Sequence, residues 1–212
     1  MDTIKSEYAL MFKFLKSIRK QLLILALLFV VIAVIAYFAM GSLYQTQPEV
    51  IEEHIGELAE MLNTKDIIDE TGKMDAIKLF FGNFYAAMAA VSYGMIPFLF
   101  LPALSLLTNA AVIGVITAIF KATEIGGVVD TLVGILPHGI FEIPALLLCV
   151  AFGLNLSLLG TRILRRKASK YDLYEFSAET ARALVLAVVP RLIAAAVVES
   201  YITPIIMDAF IL

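Results

Sequence analysis

Residues 22–40 form an almost uninterrupted apolar run, close to the roughly 20 residues needed to cross the hydrocarbon of a bilayer. That run decides the solvent. Lipid offers no partner to backbone N–H and C=O groups, so spanning segments must be helices or closed barrels. Further apolar stretches of helical length follow between residues 79 and 206, and the hydrophobic share of the chain is 61%. Mean hydropathy is +0.91, whereas a soluble globular chain is nearer half apolar. The chain therefore reads as an all-α protein, a polytopic transmembrane helical bundle of the cell membrane. The first apolar run is too long and too far from Met1 for a cleavable signal peptide. The one cysteine, Cys149, lies in an apolar run and has no partner for an intrachain disulfide. No phosphate-cradling GxxxxGK loop, Cys-x-x-Cys pair or GxSxG elbow is present, and nothing points to nucleic acid.

The formal net charge of −3 conceals a strong segregation of sign along the chain. In residues 1–20, Ile4, Tyr8, Met11, Leu15 and Ile18 follow 4-3-4-3 spacing, with Lys5, Lys13, Lys16 and Lys20 on the other side. This predicts an interfacial amphipathic helix with lysines toward anionic headgroups, or else a cytosolic extension of the first crossing. Residues 21–41 are the first transmembrane helix, and its basic near end puts the N-terminus in the cytoplasm. Residues 42–78 are acidic, with Glu49, Glu52, Glu53, Glu57, Glu60, Asp66, Asp69 and Glu70 against Lys65, Lys73 and Lys78. Within them Pro48 suits a helix start and Ile51, Ile55, Leu58 and Leu62 repeat at 4-3-4. An extracytoplasmic helix packed on the membrane domain or on a partner is expected, with His54 a surface histidine.

Residues 79–212 form the membrane core domain. Pro97 and Pro102 divide residues 79–101 from 103–120, giving two crossings joined near the cytoplasmic side. Residues 128–136 are too short to span, so with Pro137 they suggest a half-helix or re-entrant segment, and residues 139–160 then cross inward. A second basic cluster follows, comprising Arg162, Arg165, Arg166, Lys167 and Lys170. Both clusters belong in the cytoplasm, so an even number of crossings separates them, and four fit. Residues 171–182 read as a linker and residues 183–206 as the last crossing, making about five, with the N-terminus inside and the C-terminus outside.

Chemistry concentrates where ionisable groups enter the apolar segments. Pro137, Gly139 and Pro144 mark a helix break, after which His138 and Glu142, four residues apart, share one helix face. Arg191 and Glu199 sit in the last crossing, while Asn83 and Asn109 are polar in apolar surroundings. Arg191 and Glu199 are eight residues apart on one helix, and Glu142 is one interhelical partner open to Arg191. Intramembrane charges cost about 2.5–3.5 kcal/mol each on insertion scales, so they must be compensated or wet. Three roles are open to His138 and Glu142: capping backbone freed at the proline break, forming a polar cavity for a proton, ion or lipid headgroup, or ligating a metal. Metal catalysis needs three protein ligands; Glu199 is available as a third, but no spacing requires it, and Arg191 opposes a cation. No metal, cofactor or catalytic residue is assigned.

The block Pro137-His138-Gly139-Ile140-Phe141-Glu142, followed by small and apolar residues to Gly153 and Gly160, resembles the signature of the stage II sporulation protein M family. Supporting matches are Asn83, the stretch from Leu104 to Gly114 containing Asn109, and Ala-Ala-Val-Val-Glu-Ser-Tyr-Ile-Thr-Pro at 195–204. The likeness covers residues 79–204; Ala110 departs from it where the family pattern carries glycine. The resemblance implies a membrane scaffold. Founding members localise peptidoglycan-remodelling enzymes on the outer membrane face during forespore engulfment, but many relatives belong to bacteria and archaea that never sporulate. The expectation is a non-enzymatic integral membrane protein that scaffolds envelope-associated proteins among membrane lipids, with homo-oligomerisation open. A small transporter or lipid- or ion-handling protein with a polar cavity at His138, Glu142, Arg191 and Glu199 is the alternative.

Overall fold

The computed structural model describes residues 2–64, 74–124 and 126–211, and among them the regular structure is helical. Asp66, Asp69, Glu70, Lys65 and Lys73 of the acidic segment lie outside the described residues. Helix α1 (Asp2–Ser17) is followed after a one-residue bend at Ile18 by α2 (Arg19–Thr46). The helix passes Gly41, where the apolar run stops, and ends beside Pro48 at Gln47, whose position before a proline disfavours helix. Helix α3 (Glu49–Thr64) lies in the acidic segment. Helix α4 (Ala76–Tyr93) starts at Asp75, whose carboxylate accepts from the backbone N–H groups of Ile77 and Lys78. Helix α5 (Pro102–Ala122) begins on its proline, which lacks the N–H that a first helical turn leaves unpaired.

The expected interruption between α4 and α5 is present and is held by α6. Ser157 donates to the carbonyl of Ile96 at 3.0 Å, and Thr161 accepts from the Phe98 N–H at 2.9 Å. Phe98 and Phe100 adopt left-handed backbone conformations, φ 68° and 47°, which let the chain reverse within residues 94–101.

Helix α6 (Val128–Leu164) is the axis of the molecule. Every residue from 145 to 153 is buried, with α2, α4, α5 and α8 among the helices around it. It runs unbroken through Pro137, Gly139 and Pro144, so the predicted helix break and the re-entrant segment are not formed. The reason is the solvent: each proline removes one N–H, whereas ending a helix exposes four donors and four acceptors that lipid cannot satisfy.

The expected linker at residues 171–182 is also helical. Helix α7 (Lys170–Ala183) is capped by Ser169, and Asp172 bonds back to the Ser169 N–H at 2.7 Å. It continues through a wider π-turn (Leu184–Val188), α8 (Val189–Val197), a second π-turn (Val198–Ile202) and α9 (Thr203–Ile211). Each π-turn ends two residues before a proline, Pro190 or Pro204, and the widening relieves the clash of its ring with the preceding turn.

Four helical stretches are long and apolar enough to cross a membrane: Arg19–Thr46, Pro102–Ala122, Val128–Leu164 and Lys170–Phe210. The charge segregation acquires a geometry. Glu7 of α1 meets Arg182 of α7 at 2.6 Å, Phe14 packs edge-on to Phe176, and Asn155 donates to Gln21 at 2.6 Å. The amphipathic stripe of α1 divides: Met11 is buried and Leu15 and Ile18 pack on the core, while Ile4 and Tyr8 stay exposed. At the other end of α2, Tyr44 is buried against Ala118, Ile119, Val50 and Ile51, and its hydroxyl meets His54 Nδ1 at 2.9 Å. His54 is thus a packing residue of α3, where the sequence suggested only a surface group.

Candidate functional site

Antiparallel packing of α6 against the final helix brings three ionisable residues together. One ring nitrogen of His138 and one oxygen each of Glu142 and Glu199 lie within 4.8 Å of one another, all three side chains half-buried. The i, i+4 relation of His138 and Glu142 does what a helix face requires, because α6 continues through both. Glu199 arrives from the second π-turn. Thr203, one turn further on, meets His138 Nδ1 at 3.3 Å. Were both carboxylates ionised at a separation within 4.8 Å, they would repel by at least about 3.5 kcal/mol at an effective dielectric of about 20. A proton held by one carboxylate or a cation between them removes that repulsion.

The cluster is the junction of two cavities. On one side His138, Glu199 and Ser200 line a pocket of about 710 Å³, walled by Phe120, Thr131, Met207 and neighbouring apolar residues. Ser200 is only 8% exposed, and its Oγ has no hydrogen-bond partner among the described residues. On the other side Glu142 lines a cavity of about 30 Å³ with Asn83, Asn109 and Leu192, room for about one water. Asn109 also donates to the carbonyl of Ser105, its own preceding turn, at 2.8 Å. Of the six polar residues singled out in the sequence, five converge here. Arg191 is turned elsewhere: its Nη1 donates to the carbonyl of Ala187 at 2.8 Å, back along its own helix. Glu199 lies about 12 Å further on at helical rise.

Ser200, Thr203 and Thr131 are pocket residues that reasoning from the sequence passed over. Ser200 and Thr203 flank the sequence Tyr-Ile after Glu199, and the proline following Thr203 was the available sign of an altered turn.

The fold and cluster define a helical membrane protein with a half-buried polar site built on Pro-His-Gly-x-x-Glu. The family model of stage II sporulation protein M matches residues 25–204, and the chain belongs to that family. No curated protein and no solved structure matches the chain.

Proposed function

We propose that this protein is a non-enzymatic scaffold of the cell membrane that gathers envelope-associated proteins, with the N-terminus and both basic clusters in the cytoplasm and α3 outside. The observation that carries the reading is how α3 is mounted. Val50, Ile51 and His54 hold it on the ends of α2 and α5, and Glu49, Glu52, Glu53, Ile55 and Glu60 are left exposed. A mixed acidic and apolar face, held on a short mount beside the membrane, suits capture of a basic partner surface. Neither the lipids around the bundle nor self-association is needed for that role, and no nucleic acid enters it. The test is site-specific photo-crosslinking from position 53 in living cells, compared with a chain deleted for residues 49–63. Discrete crosslinked proteins that disappear from co-purification with the deletion, while the shortened chain still inserts, are expected. Unchanged recovery of the same proteins by the deleted chain would overturn the reading.

A second reading, a protein that handles a small ligand, draws on the 710 Å³ pocket and its polar floor. Native mass spectrometry of the gently extracted protein tests it. A retained lipid or metabolite lost in Glu142→Ala supports it; an unliganded parent counts against it.

A further inference from the structure

We propose that His138, Glu142 and Glu199 form a binding site for a divalent transition cation, with zinc the best fit, at the junction of the two cavities. This goes beyond the scaffold reading and does not depend on it.

The donor set is the first argument. An imidazole nitrogen with two carboxylate oxygens suits zinc or a neighbouring first-row ion, and disfavours magnesium, which takes oxygen and water. Three donors at about 2.1 Å from one zinc stand about 3.4 Å apart in a tetrahedron. The observed spread, within 4.8 Å, leaves at most about 1.4 Å to be closed on binding, a distance within the reach of side-chain rotation.

The surroundings are the second. The Thr203 hydroxyl holds His138 by Nδ1, the arrangement in which a ligating histidine is oriented by its other nitrogen and presents Nε2. The Ser200 hydroxyl, next to Glu199 in the chain, is buried and has no partner among the described residues, and it lines the same pocket as His138 and Glu199, where a water or anion on the ion would supply one. Arg191, the cation that seemed to oppose a metal, places its Nη1 on the Ala187 carbonyl and is in the lining of neither cavity. A bound ion also offsets the repulsion between the two carboxylates, and it ties α6 to the final helix.

The experiment uses the full chain in lipid nanodiscs, stripped with chelator, titrated with zinc and counted by elemental mass spectrometry after desalting. One zinc per chain is expected. His138→Gln and Glu199→Gln should each weaken affinity at least about 100-fold, and Ser200→Ala and Thr203→Val by less, within the 10–100-fold typical of outer-shell partners. Cobalt in place of zinc gives a readout that needs no variant: visible absorption of a four-coordinate site, abolished by competing zinc. A parent that holds no more zinc than the triple variant of His138, Glu142 and Glu199, or cobalt with only the spectrum of the hydrated ion, overturns the proposal. Zinc retained equally by that triple variant would assign the ion to the acidic α3 segment and overturn it as well.

Discussion

At Gly114 the helices α2 and α5 pack with no room for a side chain, and substituting it with alanine tests that packing. A Cβ added there would overlap the carbonyl oxygen of Ala33 and lie 2.7 Å from Ala36 Cβ and 2.8 Å from Tyr37 N. Two of those three are backbone atoms of a long helix, so no side chain can swing aside. Carbon atoms pack at about 3.5–4.0 Å, and the two helices must part by about 1 Å. A gap of that size forfeits a quarter to a half of each dispersion contact of about 0.1–0.2 kcal/mol. Over several tens of atom pairs in the most extensive helix pair of the molecule, the loss is about 2–3 kcal/mol. That agrees with the usual overpacking range of about 1–3 kcal/mol and corresponds to a fall in melting temperature of about 5–10 °C. The assay is thermal unfolding in detergent, followed by circular dichroism, with Gly82→Ala as the matched control. Gly82 sits in a helix with nothing within 4 Å of an added Cβ, so alanine there should be neutral or stabilising by up to about 1 kcal/mol. Gly114→Ala melting at or above the parent would refute the close approach.

Three further outcomes are expected. Pro137→Ala should leave helix content unchanged and stability no lower, because alanine suits a helix interior better than proline by about 3 kcal/mol; a gain of helical dichroism would restore the break. Thr161→Val leaves the Phe98 N–H without its acceptor and should cost about 1–3 kcal/mol in the same unfolding assay, with no effect refuting the role of α6 in holding that connection. Arg182→Ala should expose α1 to protease while lowering global stability little: a double-mutant cycle with Glu7→Ala should couple by less than about 1 kcal/mol, since Glu7 is 44% exposed. Unchanged cleavage of α1 would refute the latch.

What could be read in advance followed from the chemistry of the solvent. Apolar run length and basic clusters declared a helical membrane protein, and the four-residue spacing of His138 and Glu142 survives intact on α6. The break at Pro137 was misjudged because proline was weighed as in water, where a freed backbone group finds a partner; in lipid, keeping the helix costs less. The linker at residues 171–182 was judged by its charge, although Ser169 and Asp172 carry a helix cap. Glu199 could be grouped with His138 in a polar cavity, but no spacing required it: they are far apart in the chain, and the antiparallel packing of α6 against the final helix, helped by a π-turn, aims one at the other. Gly94 against Gly153 is similar, since small residues announced close packing without naming the pair.

The contact between α1 and α7 closes the chain on itself. Glu7 and Phe14 wait for Arg182 and Phe176, and those residues emerge from the ribosome only when most of the polypeptide has been made. Until then the basic, amphipathic start of the protein lacks these two contacts. This end of the bundle is therefore sealed only after α7 has been made. A nascent or truncated chain lacking the final helix would keep its N-terminal arm open to quality-control proteases.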